Sequence, residues 1–204
     1  LVLTGAGRAF SAGADLKSMG TPLDPPNKSL RPLMHPMIGF PKPFIPASNV
    51  LGVGHGMTIH GVADLVFMAE SAKFRAPFSS LGLTAEAAST YTFSRLLGHQ
   101  KASWALLSGE WFTARECLDM GLALEVIPDE NLMQIVYEKA EKLAALPLAS
   151  LIQTKKLLVA PHIEAMKSAV YAEGVGLANL AGGAANREAI KAFLGKRDPD
   201  FRGI

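Results

Sequence analysis

Residues 49–91, NVLGVGHGMTIHGVADLVFMAESAKFRAPFSSLGLTAEAASTY, are the stretch that decides the interpretation of this chain. The stretch opens with a glycine-rich turn at Gly52, Gly54 and Gly56, which leads into a predicted helix over residues 57–62. Glycines let a backbone approach a ligand closely, and the free N–H groups at a helix start stabilise negative charge. The turn therefore predicts a site that binds a developing negative charge through main-chain donors.

Glu86 is the acidic residue that stands apart from the others. It lies in LGLTAEAASTYTF, with no other charged residue between Arg75 and Arg95. A carboxylate in an apolar setting has a raised proton affinity and can act as a base near neutral pH. The simpler alternative is a glutamate in the first turn of a helix, where the helix dipole favours it. A donor turn and one isolated base are the parts needed to move a proton next to a carbonyl group.

The composition predicts a globular chain with one domain, or a core with a helical appendage. The 204 residues are 49% hydrophobic and 19% charged, with a net charge of +2 and no basic run, so we expect no nucleic-acid partner. No apolar run approaches the ~20 residues that a membrane span needs, so we expect no membrane insertion. A few cationic side chains still suffice to contact a phosphorylated small molecule.

The single cysteine, Cys117, excludes an intramolecular disulfide and favours an intracellular protein. We expect Cys117 to be buried and the protein to be cytoplasmic, or peroxisomal or mitochondrial if its source is eukaryotic. The sequence starts on an apolar strand, LVLTGAG, without Met or a basic leader. This start predicts no signal peptide, and it suggests that earlier residues are missing.

Strand-like and helix-like segments alternate before about residue 130, and helical patterns fill the rest. We predict strands over residues 1–4, 43–47, 65–68, 73–76 and 122–127, and helices over 87–97, 102–107 and 114–120 and from 129 onward. Thr113, Glu116 and Gly121 fit a capping box and a helix stop. The pattern predicts an α/β core over residues 1–130 and a C-terminal helical region over residues 131–204.

Several common kinds of site lack their motifs. GVGHGMT lacks the third glycine of a dinucleotide fingerprint, and the chain has no G-x-x-x-x-G-K-[ST]. The five histidines are scattered and no H-E-x-x-H occurs, so we expect no metal site. No G-x-S-x-G elbow supports a hydrolase triad.

AFSAGADLKSM, followed by the stretch quoted first and by GEWFTARECLDMGLALEVIP, resembles the crotonase (enoyl-CoA hydratase/isomerase) superfamily. The resemblance covers nearly the whole chain but lacks the family's N-terminal strand-helix portion. It implies a spiral of ββα units, a helical trimerisation region and acyl-CoA thioester substrates, with no cofactor beyond the coenzyme A of the substrate. It also implies an oxyanion hole made by the N–H groups of Ala14 and His55. At the His55 position the family usually has glycine.

The resemblance also assigns residues to the path of coenzyme A. These residues are Ala12, Asp15, Leu16 and Gly54 within one subunit, and Phe193 and Lys196, which reach the coenzyme A of a neighbouring subunit. The implied partners are an acyl-CoA substrate and further copies of the chain, in a homotrimer or a dimer of trimers.

Two departures from the family pattern indicate the subfamily. In hydratases of the family, one catalytic glutamate stands at the position of Thr58 and a second at the position of Phe78. This chain therefore lacks both hydratase carboxylates. PFSSLGLTAEAASTYTF instead resembles the peroxisomal type of Δ3,Δ2-enoyl-CoA isomerase, in which one glutamate at the Glu86 position does the chemistry. We expect the main-chain N–H of His55 to matter, and its ring to be dispensable.

Two other functions remain open at this point. One is a different, hydratase-like reaction of the crotonase fold on an acyl-CoA. The other is an acyl-CoA-binding protein without catalytic activity, which gains weight from His55 and from the missing N-terminal portion.

Overall fold

A computed structural model describes residues 1–15 and 30–204 of the chain. The strands, in chain order, are β1 (Val2–Thr4), β2 (Ile45–Ser48), β3 (Leu51–Val53), β4 (Phe67–Ala69), β5 (Lys73–Arg75), β6 (Trp111–Thr113) and β7 (Glu125–Ile127). The helices are α1 (Arg31–Ile38), α2 (His55–Thr58), α3 (Ser89–Leu97), α4 (His99–Leu107), α5 (Ala114–Met120), α6 (Leu132–Ala144), α7 (Leu148–Val159), α8 (Ile163–Leu180) and α9 (Ala184–Leu194). The helical end of the chain follows an α/β core, as the sequence predicts.

The strands form two sheets. The larger sheet has the parallel order β1-β2-β4-β7, and the smaller has the order β3-β5-β6, with β3 and β5 parallel and β5 and β6 antiparallel. Both β2 and β4 are buried along their whole length. Such continuous burial is typical of parallel strands that are covered on both faces.

Two apolar clusters hold the described residues together. The larger lies around the sheets and includes Phe67, Phe74 and Phe93, which are fully buried. The smaller joins α1 and α8 around the turn that precedes α3. Its buried members are Met34, Ile38, Ala87, Ala88, Met166 and Val170. Through this second cluster, the C-terminal helices pack directly on the core.

Two strands are missing from the sequence prediction, β3 and β6. Strand β3 falls in the glycine-rich stretch, which the sequence analysis reads as a turn. Gly52 occupies β3 because a Cβ there would lie 2.5 Å from the Phe74 ring of β5. Glycine in a strand often marks such a close approach.

Helix α3 begins at Ser89, whereas the sequence predicts a helix from residue 87. Ala87 and Ala88 both have positive φ, 63° and 62°, so they cannot continue a right-handed helix. The predicted start is therefore wrong by two residues, and the error falls next to Glu86.

The predicted capping of α5 is confirmed. The Thr113 hydroxyl accepts the Glu116 N–H, the Glu116 carboxylate accepts the Thr113 N–H, and Gly121 ends the helix in a left-handed conformation. Cys117, one turn into this helix, is fully buried as expected, and burial raises the pKa of its thiol to about 12.

No single helix in residues 1–15 and 30–204 is long and apolar enough to cross a membrane. One sharply bent pair of segments, Asp129–Ala144 with Leu148–Leu180, reaches the required length and composition only together. Within the same part of the chain, no three His, Cys, Asp or Glu side chains are grouped so that they could hold a metal ion.

Candidate active site

The glycine-rich turn presents the start of α2. Gly54 has a φ of 57°, donates its N–H to the Arg75 carbonyl and accepts the N–H groups of Met57 and Thr58. The N–H groups at the start of a helix have no acceptor within the helix. The His55 N–H is such a group, so it is placed to donate to a ligand.

The second expected donor lies on the segment that crosses this turn. The Ser11 N–H donates to the Leu51 carbonyl, and the Ser11 carbonyl accepts the Val53 N–H. Gly13 follows with a φ of 80°, and a Cβ there would come within 2.9 Å of the Val53 carbonyl oxygen. These contacts hold residues 11–13 against β3, which leads into Gly54 and α2, and Ala14 follows directly in the chain.

The residues that flank these two donors are only partly described. Ala12, Ala14 and Asp15 are exposed, which suits main-chain or side-chain contact with a ligand. Leu16, the other residue expected on this side of the coenzyme A path, lies outside the described residues.

Glu86 lies beside α2, and only 8% of its side chain is exposed. Its Oε1 accepts a hydrogen bond of 2.5 Å from the Thr58 hydroxyl, and its Oε2 lies 3.2 Å from Nδ1 of His55. When Glu86 is ionised, as a base must be, its oxygens only accept, and this hydrogen bond then requires the hydrogen on Nδ1. His55 therefore carries the candidate main-chain donor, and its ring contacts the candidate base, Glu86.

These contacts correct the expected environment of Glu86. The sequence predicts an isolated carboxylate among apolar residues, but Thr58 and His55 both bind its oxygens. The ring contact of His55 was not predicted, since the resemblance assigns that residue a main-chain role alone. The signal for Thr58 was present, because the resemblance places a hydratase carboxylate at that position.

Neither position at which the resemblance places a hydratase carboxylate holds an acid in this chain. Thr58 is fully buried, and Phe78 is a buried member of the main apolar cluster. The Thr58 hydroxyl can orient a carboxylate, but it cannot act as a general acid or base of comparable strength.

His60 connects α2 to β2 through its ring. Its ring nitrogens lie 2.8 Å from the Ser48 hydroxyl and 2.9 Å from the Met57 carbonyl, and its ring stacks on Phe10. Burial lowers the pKa of His60 to about 4, so the ring is neutral near pH 7. We assign His60 a structural role.

Two cavities lie near these elements. A cavity of about 150 Å³ is lined by His55, Phe10, Ser11 and their neighbours. A larger one, of about 660 Å³, lies between α3 and α6–α8, and neither Glu86, Thr58 nor His55 lines it. We place the candidate site by the contacts of Glu86, because they bring together groups that can do chemistry, whereas the larger cavity has mainly apolar walls.

Phe193 and Lys196, at the end of α9, are exposed. No contact in the described part of the chain joins them to Glu86 or His55. Their contact with the coenzyme A of a neighbouring subunit stays a prediction.

Comparison with known proteins gives the chain a family. A sequence model of the family described as Enoyl-CoA hydratase/isomerase matches residues 1–203. The chain is 37% identical to Enoyl-CoA delta isomerase 2 of Rattus norvegicus over 77% of its own length, and it spans 42% of the length of that protein. It is 33% identical to 2,3-dehydroadipyl-CoA hydratase of Escherichia coli (strain K12), over 99% of its own length and 80% of that protein.

A solved structure supports the fold. The enoyl-CoA hydratase/isomerase from Pseudoalteromonas atlantica T6c superposes with a TM-score of 0.90 and 32% identity, over 98% of this chain and 80% of that chain. The crotonase fold that the resemblance implies is therefore confirmed, as an α/β core with a helical C-terminal region. From the match over residues 1–203 and this superposition, the chain belongs to the enoyl-CoA hydratase/isomerase family.

Proposed function

We propose that the chain is an enoyl-CoA isomerase that moves a double bond from C3–C4 to C2–C3 of an acyl-CoA thioester. The observation that carries the proposal is the buried carboxylate of Glu86, which accepts a hydrogen bond from Thr58 of α2, while Thr58 and Phe78 stand where the resemblance places the hydratase acids. One carboxylate suffices for a proton shift, whereas adding water requires groups that activate and deliver it.

The reaction begins when Glu86 removes the proton from C2 of a 3-enoyl-CoA. The electron pair of that C–H bond moves toward the thioester carbonyl and gives a dienolate. The N–H groups of Ala14 and His55 hold the negative oxygen. One well-placed oxyanion donor contributes ~3–4 kcal/mol to the transition state.

Glu86 then returns the same proton to C4. The dienolate electrons form the C4–H bond, the carbonyl is restored, and the double bond lies between C2 and C3. One base serves both carbons if it reaches them from the same face of the substrate. The hydrogen bond from Thr58 fixes the orientation of the carboxylate during the transfer. This proton transfer requires no redox cofactor and no metal.

The first test is Glu86→Gln. Glutamine keeps the size of the side chain but cannot take the proton, so turnover of a 3-enoyl-CoA should fall by ~10²-fold or more, the usual loss of a general base. Binding of a saturated acyl-CoA should stay within a few-fold. Glu110→Gln, at an exposed position, is the matched control and should keep the parent activity. More than about a tenth of the parent activity in Glu86→Gln would mean that another group is the base.

A catalytically silent acyl-CoA-binding protein is the second candidate, favoured by the histidine at a position where the family usually has glycine. That function predicts affinity for the saturated acyl-CoA without turnover by the parent. The two proposals therefore separate in the same assay.

A further inference from the structure

The turn directly after Glu86 has an unusual backbone. Ala87 and Ala88 both lie in the left-handed region, with φ of 63° and 62°. Residues with a Cβ adopt this conformation rarely, and two in succession need surrounding contacts that hold them there. Both alanines are buried, so solvent does not supply those contacts.

Glu173 of α8 supplies them from the C-terminal helical region. Its Oε2 accepts the Ala88 N–H at 2.7 Å, and its Oε1 accepts the Thr90 N–H at 2.9 Å and the Thr90 hydroxyl at 2.7 Å. The carboxylate thus bridges the left-handed turn and the first residues of α3. Glu173 is only 5% exposed, and its burial raises the pKa of the carboxyl, as does the charge of Glu86, while the three donors oppose that shift.

Both oxygens of Glu173 are occupied by these donors. Glu173 is thus a second buried carboxylate near Glu86, but it binds main-chain N–H groups of the turn and of α3, whereas the Glu86 carboxylate is bound by side chains. Its neighbours on α8 continue the contact. Val170 belongs to the same buried cluster as the two alanines, and a Cβ on Gly176 would lie 2.9 Å from the side chain of Thr84, two residues before Glu86. Helix α8 thus contacts the segment that carries Glu86 on both sides of this residue, at Thr84 and at Ala88 and Thr90.

We infer that Glu173 is a positioning residue for Glu86, which holds the left-handed turn so that the Glu86 carboxylate meets Thr58 and the substrate. The Ser89 N–H donates to the Glu86 carbonyl, so the start of α3 and the backbone of Glu86 are fixed together. This inference rests on the proposed function of Glu86. It gives the helical region a part in shaping the active site, in addition to any part in assembly.

The test compares kcat with substrate affinity in Glu173→Gln. Glutamine presents one acceptor and one NH₂ group, so it cannot accept hydrogen bonds at both oxygen positions. We expect kcat for a 3-enoyl-CoA to fall ~10–100-fold, as misplacement of a reacting group by about 1 Å does. The Kd of hexanoyl-CoA should stay within threefold, and circular dichroism should match the parent. Glu164→Gln, an exposed residue on the same helix, should behave as the parent.

A milder pair of variants covers the case in which Glu173→Gln does not fold. Thr90→Val removes one donor to Glu173 and keeps the shape of the side chain, so kcat should fall about threefold to tenfold. Thr90→Ser retains the hydroxyl and should keep the parent kcat. Ala88→Gly should restore part of the loss in Glu173→Gln, since glycine adopts this φ without a Cβ penalty.

The outcomes separate this inference from the proposed function. A folded Glu173→Gln with a kcat within twofold of the parent, or a loss that appears in KM alone, would overturn the positioning role. If Glu173→Gln does not fold, equal kcat in Thr90→Val and Thr90→Ser would overturn it. No turnover by the parent would overturn the proposed function instead.

Discussion

Glu86 receives two side-chain hydrogen bonds of unequal length. The bond from Thr58 is 2.5 Å long, and the distance from Nδ1 of His55 is 3.2 Å, at the long end for N–H···O. The His55 side chain is also 25% exposed. The lengths indicate that Thr58 contributes more to the orientation of Glu86 than the His55 ring does.

His55→Gly tests whether the ring is dispensable, as the sequence predicts. The variant keeps the main-chain N–H and loses the contact of the ring with Glu86. A hydrogen bond contributes ~0.5–1.5 kcal/mol net, so the activity should stay within about tenfold of the parent. Steady-state turnover of a 3-enoyl-CoA measures this. A loss of more than a hundredfold in a folded variant would show that the imidazole takes part in the chemistry.

His55→Pro tests the main-chain donor at the same position. Proline has no N–H, and the loss of one oxyanion donor costs ~10²–10³-fold in rate. We expect turnover to fall by that factor while the far-ultraviolet circular dichroism stays near that of the parent. Equal activity of the Gly and Pro variants would exclude His55 as an oxyanion donor.

At the residue scale, the sequence singles out Glu86 as the candidate base because it is the only charged residue between Arg75 and Arg95. The sequence does not predict the contact between the His55 ring and Glu86. The two residues are 31 positions apart, and nothing in the local pattern orients the ring. The sequence missed Glu173 for the same reason, because the residues that it binds are more than 80 positions away.

Among the elements, α2 is positioned by its close approach to the segment that carries Ala14. A Cβ on Gly56 would lie 2.6 Å from the Ser11 carbonyl oxygen and 2.8 Å from its Cβ. Neither the backbone of Ser11 nor that of α2 can shift without moving an expected oxyanion donor. Position 56 therefore accepts only glycine while α2 and Ser11 lie this close together.

Gly56→Ala should therefore destabilise the protein and weaken catalysis together. Overpacking of this kind costs ~1–3 kcal/mol, which urea unfolding can measure. Gly39→Ala is the matched control, because its nearest neighbour would lie 3.5 Å away and its φ is −89°. Parent-like stability and turnover in Gly56→Ala would contradict the close approach.

Elements with local signals were predicted best. The capping box of α5 depends on residues three positions apart, and the sequence placed both ends of that helix correctly. The start of α3 was misplaced because Glu173 and the packing of α8 hold Ala87 and Ala88 in a conformation that alanine does not favour. Distant contacts of this kind leave no trace in the local sequence.

In the whole molecule, the C-terminal helices leave apolar side chains exposed. Met166 and Val170 of α8 are not part of this surface, because both are buried in the cluster that includes α1 and the turn after Glu86. The large apolar residues of α7 and α8 that are exposed are Leu148, Leu157, Leu158, Tyr171, Val175 and Leu180. Exposed apolar surface of this extent often marks an interface between subunits.

We propose that the protein assembles as a trimer or a multiple of three. The threefold number comes from the resemblance to the crotonase family, and the exposed residues of α7 and α8 supply surface for such a contact. One chain has a mass of 21.6 kDa, and light scattering at micromolar concentration should give three or six times this mass. A monomer at that concentration would contradict the proposal.

The central claim is that one carboxylate moves a proton and that the site does not add water. The most direct measurement compares two reactions of the parent protein at equal concentration. One is the conversion of a 3-enoyl-CoA, followed by the absorbance of the conjugated product, and the other is the hydration of crotonyl-CoA, followed by the loss of that absorbance. Since the hydratase acids are replaced by Thr58 and Phe78, we predict isomerisation at least ~10²-fold faster than hydration. Comparable rates of the two reactions would contradict the account.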